Sequence, residues 1–69
     1  MRGLFHVYHE SLKSRATSPQ AVRPCHWVKQ ADCDTFAAAH DAAINMIRQG
    51  CHARVTWPGG SRCFRGEGR

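Results

Sequence analysis

The chain has 69 residues, ten Lys/Arg against five Asp/Glu for a net charge of +5, and 42% apolar residues. That length allows one small domain, which buries only about 60% of its unfolded surface. The charge excludes a nucleic-acid mimic, which needs a carboxylate-rich surface, and favours acidic partners instead. Nine of the apolar residues are alanine and four are cysteine, so few large side chains remain to build a core. A core this thin is expected to rely on self-association, as a homodimer, or on a complex with something larger.

Residues 4–10 (LFHVYHE) alternate, with Phe5, Val7 and His9 on one face and Leu4, His6, Tyr8 and Glu10 on the other. Both faces are half apolar, which predicts an inner or partner-covered strand. Residues 11–24 (SLKSRATSPQAVRP) hold two prolines and three serines and have no period. They predict a long loop, of the kind that is functional or mobile, with Lys13, Arg15 and Arg23 reaching toward a partner. Residues 25–31 (CHWVKQA) read as a second strand, with Cys25, Trp27, Lys29 and Ala31 on one face.

A helix is predicted over residues 34–49, because Phe36, Ala39, Ala43, Ile44 and Ile47 share one face. Asp34 or Thr35 is the N-cap candidate, and Gly50 follows where a left-handed C-terminal cap wants glycine. Residues 51–57 (CHARVTW) alternate again, with Cys51, Ala53, Val55 and Trp57 inward and His52, Arg54 and Thr56 outward. Pro58-Gly59-Gly60 predicts a turn, residues 61–65 a returning strand, and residues 66–69 a frayed tail. The order ββαββ predicts an α+β fold, an antiparallel sheet with one amphipathic helix on one face, as a single domain over residues 1–69.

The residues that could carry chemistry are few. Cys25, Cys33, Cys51 and Cys63 are zinc-ligand types, but Cys25 and Cys33 are too far apart for the tight knuckles of structural zinc sites. Adjacent Cys-His pairs on a strand also point to opposite faces. Free thiols are therefore preferred over disulfides, and both over a metal site; no cofactor is expected. A cysteine–histidine nucleophile needs a water-excluding cleft that one helix on one sheet hardly forms, so an enzyme is not expected. His40 interrupts the apolar stripe. It predicts either a neutral ring packed on the sheet and bonded to a carbonyl, or a gap that a second subunit fills.

The remaining cations group on the second strand (Lys29) and on the C-terminal hairpin (Arg54, Arg62 and Arg65, with Phe64 between them). A basic sheet with exposed aromatics is one way that small domains bind nucleic acid, although Trp27 and Trp57 can equally be core. No apolar run long enough for a signal peptide or a membrane span is present, and a cytoplasmic protein without membrane contact is expected.

The layout resembles that of small phage- and mobile-element-encoded inhibitors of bacterial defence, anti-CRISPR proteins among them. The likeness is one of size and order, carried by FHVYHE opening a sheet, the single helix DTFAAAHDAAINMIRQG and the hairpin CHARVTWPGGSRCF. It implies a non-enzymatic protein in a bacterial host cell that blocks a nucleoprotein machine by occupying one of its surfaces. The partner-binding candidates are then Lys13, Arg15, Arg23, Lys29, Arg54, Arg62, Phe64 and Arg65, with a direct nucleic-acid-binding module and a zinc- or disulfide-stabilised structural domain as alternatives.

Overall fold

The aromatic and β-branched alternation of the first segment becomes a central strand. In the computed structural model, which describes residues 3–11, 16–23 and 26–68, β1 (Phe5–Glu10) pairs on both edges, with β2 (Trp27–Cys33) and with β3 (Ala53–Trp57). The edge strand β4 (Gly60–Phe64) pairs with β3 through a hairpin whose turn is Pro58-Gly59. The sheet is antiparallel throughout, in the order β2-β1-β3-β4. The α1 helix (Phe36–Arg48) connects β2 to β3, which lie on either side of β1. This split β-α-β arrangement confirms the ββαββ order, with the helix on one face.

The helix starts and stops for local reasons. The Oγ1 of Thr35 accepts from the Ala38 N–H at 3.2 Å, so Thr35 is the N-cap. Asp34 instead accepts from the Gly3 N–H at 2.7 Å and ties the N-terminal segment to the helix start. At the other end the Gly50 N–H donates to Ile47 O and the Cys51 N–H to Met46 O. Gly50 has φ +89°. This is a Schellman closure, which needs a residue without Cβ strain at that position.

The core lies between α1 and the sheet. Val7, Ala39, Ala43, Ala53 and Val55 are fully buried, with Phe5, Phe36, Met46, Ile47, Trp57 and Phe64 packed around them. Alanine on both surfaces lets the helix backbone approach the sheet closely, and the larger area comes from rings at the periphery. Phe5, Phe36 and Trp57 form a triangle of centroids 5.7–6.2 Å apart. The His40 ring extends this chain, 6.0 Å from Phe36 and 5.5 Å from Phe64. It is a packed ring, and no backbone carbonyl bonds to it among the described residues.

Several boundaries differ from expectation. The second strand starts at Trp27, and Cys25 lies outside the described residues. A bulge between Val7 and Tyr8 pairs Val7 with Ala31 but Tyr8 with Lys29. The bulge breaks the simple alternation, so that Lys29 shares a face with Tyr8 while Ala31 faces the helix. The long loop contains a 3-10 turn, Pro19–Ala21, with Pro19 and Val22 buried. Nor is the tail frayed at its start. Gly66 is buried, its N–H donates to His52 Nδ1 at 2.8 Å, and the Glu67 N–H donates to Ile47 O at 2.8 Å.

Candidate functional site

One helix can cover only one face of a four-stranded sheet. The opposite face, here the open face, carries His6, Tyr8 and Glu10 of β1, Trp27, Lys29 and Asp32 of β2, Arg54 and Thr56 of β3, and Cys63 of β4, as the pairing register dictates. The two ends of this face are treated differently.

One end is closed by the chain itself. His52, expected to point outward into solvent, is fully buried. Its backbone N–H donates to Glu10 Oε1 at 2.8 Å, and the Glu10 N–H returns a bond to His52 O at 2.9 Å. Because the Gly66 N–H donates to Nδ1, the ring hydrogen sits on Nε2, which donates to Ala16 O at 2.8 Å. His52 therefore knots three separated segments together: β1, the 11–23 loop and the C-terminal residues. Buried polar groups that are bonded in this way specify a structure, whereas unbonded ones cost about 1–3 kcal/mol each.

The rest of the open face is polar, with Lys29 and Asp32 exposed and His6, Tyr8, Trp27 and Arg54 half-buried. Asp32 accepts from His6 Nδ1 at 2.5 Å and from Lys29 Nζ at 3.2 Å. These bonds, His6 first and Lys29 second, hold its carboxyl below the ordinary value of 3.8. Tyr8 stands between Lys29 on one neighbouring strand and Arg54 on the other. The Arg54 guanidinium lies over the Trp27 ring, 4.7 Å from its centroid. Trp27 is fixed in turn by its Nε1–H, which donates to Val22 O at 3.2 Å. The exposed Arg23 is one residue beyond that carbonyl, and the His26 N–H donates to Arg23 O.

The structure thus divides the predicted binding residues. Lys29 and Arg54 share the open face, and Arg23 flanks Trp27. Arg62 and Phe64 lie on the helix side of β4, opposite Val55 and Ala53, with the Arg62 guanidinium 5.6 Å from the Phe64 ring. Arg65 is exposed just past β4. Lys13 and Arg15 lie outside the described residues. Three residues absent from the predicted set, His6, Tyr8 and Asp32, complete the patch. The alternation of His6 and Tyr8 on β1 was visible, whereas Asp32 lies beyond the second strand as predicted, and nothing local marked which face the helix would leave bare.

The three described cysteines do not converge. Cys33 packs toward the helix, Cys63 lies on the open face opposite Arg54, and Cys51 is buried beyond the helix end. All three are free thiols. Among the described residues no three His, Cys, Asp or Glu side chains are placed to hold a metal ion, and no helix is long and apolar enough to cross a membrane. In comparisons with known proteins, no family model, no curated protein and no solved structure matches the chain.

Proposed function

We propose that the chain is a small non-enzymatic binding protein that docks through its open sheet face on an acidic surface of a larger protein or nucleoprotein complex and blocks that complex. The observation that carries this reading is the pairing of Lys29 and Arg54 around Tyr8 on a face the helix leaves bare. The net charge of +5 steers such a face toward acidic partners. Tyrosine, tryptophan and arginine are also the side chains enriched where protein interfaces hold most tightly. Asp32 favours a protein partner over nucleic acid, since its fixed negative charge repels phosphate but can meet a lysine or arginine of a protein surface. An inhibitor of bacterial defence of the phage-encoded type, acting in the host cytoplasm, is the form of this reading that fits the size and layout.

The test is affinity capture from a bacterial lysate with the immobilised chain, beside a Lys29→Glu variant. A specific protein retained by the wild type and lost by the variant is expected. Retention of no specific protein overturns the reading. The alternative, direct nucleic-acid binding, draws on the stacked Trp27–Arg54 pair and Tyr8 as a platform for bases. A gel shift that weakens steeply with salt would establish it in place of docking.

A further inference from the structure

The sheet has two edge strands, and they differ in what they offer to a neighbour. Among the described residues β2 pairs with β1 alone, and no backbone bond from a loop reaches residues 27–33. An edge of this kind presents a row of backbone donors and acceptors with which another strand can pair. Its residues Val28, Lys29 and Gln30 are exposed in succession, and Val28, at 46%, is the exposed large apolar side chain among the described residues. A lone lysine on an edge deters pairing. Here its charge has a mate on the same strand. In an unbroken strand residues 29 and 32 would point to opposite faces. The bulge opposite Val7 and Tyr8 turns both to the open face, where Lys29 Nζ meets Asp32 Oδ2 at 3.2 Å. The other edge, β4, carries Arg62 and no carboxylate, so no self-pairing register there sets unlike charges against each other.

We propose that β2 is a docking edge for a second copy of this chain, the two copies pairing antiparallel across a two-fold axis at the bulge. Such an axis, perpendicular to the sheet, requires that directly opposed residues share a face. The bulge meets that condition. Lys29 of each copy then lies opposite the partner's Asp32 on the open face. Val28 lies opposite the partner's Cys33 on the helix side, where Cys33 packs against the core. An ammonium carries three donors and a carboxylate several acceptor sites. The pairs within each chain therefore persist, and four charges alternate in sign around the axis. Both helices lie on one side of the joined sheet, and the two open faces become one continuous face that the contact leaves uncovered. The inference goes beyond the docking reading and does not rest on it.

The experiment is sedimentation equilibrium of the chain from about 10 μM to about 1 mM, the range of an interface at the small end of the size scale. Physiological salt screens the long-range repulsion between two chains of net charge +5. The mass should rise from 7.7 kDa toward twice that value. Lys29→Asp and Asp32→Lys each set two pairs of like charges across the axis and should weaken the dimer by about tenfold or more. An equimolar mixture of the two variants should dimerise again, because each supplies the charge that the other lacks. Arg62→Glu should leave the mass curve unchanged. Circular dichroism checks that each variant folds. If either charge swap fails to fold, Lys29→Gln, which removes the pair without adding a repulsion, should still weaken the dimer about threefold. A monomer at every concentration would overturn the proposal, as would a dimer insensitive to both swaps or one lost in Arg62→Glu. Growth past the dimer would overturn it too, since that marks head-to-tail pairing of β2 with β4. A specific partner captured by a chain that stays monomeric would remove the edge and leave the docking reading standing. A dimer with no partner captured would do the reverse.

Discussion

Replacing Gly66 with alanine tests whether the C-terminal residues are structural. A Cβ at this position would sit 2.7 Å from Gly50 O, 2.8 Å from Cys51 C and 2.9 Å from Cys51 O, all backbone atoms of the helix closure. None of these can swing aside, so the strand exit and the helix end must separate. Overpacking of this kind costs about 1–3 kcal/mol. Separation would also weaken the Gly66 N–H bond to His52 Nδ1 and the Glu67 N–H bond to Ile47 O, and a buried acceptor left unsatisfied costs about 1–3 kcal/mol. Since the two effects overlap, the expected loss is about 2–4 kcal/mol. In a domain this small that lowers the melting temperature by roughly 8–32 °C, at about 4–8 °C per kcal/mol. Gly68→Ala is the control. It makes the same change in unfolded-chain entropy, but its Cβ would meet nothing within 4 Å, and only its φ of +79° is unfavourable, at about 1–2 kcal/mol. Thermal and urea unfolding of the two variants, followed by circular dichroism, decide the point. If Gly66→Ala is no more destabilising than Gly68→Ala, the buried junction around His52 does not exist as described.

Other perturbations probe the remaining layers. Val55→Ala removes two methyl groups from a fully buried site and should cost about 2–3 kcal/mol in urea unfolding, from transfer and cavity together; a loss below about 0.5 kcal/mol would contradict the packed core. Thr35→Ala should cost about 1 kcal/mol through the lost cap, and more than Asp34→Ala, whose carboxylate accepts from the exposed Gly3 N–H. The Asp32 carboxyl should titrate below 3.8 by ¹³C NMR and move upward in His6→Ala, since His6 is the larger cause of its lowering. Its folded value lies below its unfolded one, so its stabilising effect is present above the unfolded value and is lost as pH falls through the folded value. An unchanged midpoint in His6→Ala would refute the pairing.

What could be read from residue order alone follows from the range of the interactions involved. The helix was legible to within two residues because its period, the Thr35 cap and Gly50 are all local. Cys51, Ala53 and Val55 alternate inward for the same reason. The faces of β2 were not legible, because the bulge opposite Val7 and Tyr8 depends on how β1 pairs with a strand beyond a long loop. His52 was misjudged on similar grounds: strand alternation does place it away from the helix, but Ala16 and Gly66 arrive from distant parts of the chain to cover it. No local signal in the GEGR ending distinguishes a docked glycine from a frayed one. On the open face, the cations Lys29 and Arg54 were legible as binding candidates. Their grouping with His6, Tyr8 and Asp32 required the sheet order.

The central position of β1 has a consequence for how the chain acquires its fold. The β3–β4 hairpin and α1 close through contacts between near neighbours, which form quickly. On its β3 edge the first strand has no such neighbour: His6 lies beside Thr56, 50 positions further along the chain. During synthesis β1 therefore emerges first and acquires its β3 partner last. Until then the edge of this aromatic and β-branched strand that β3 will occupy stands open to pairing with other chains. Conditions that delay closure of the β3–β4 hairpin should raise the aggregation of nascent chains more than they lower the stability of the finished fold.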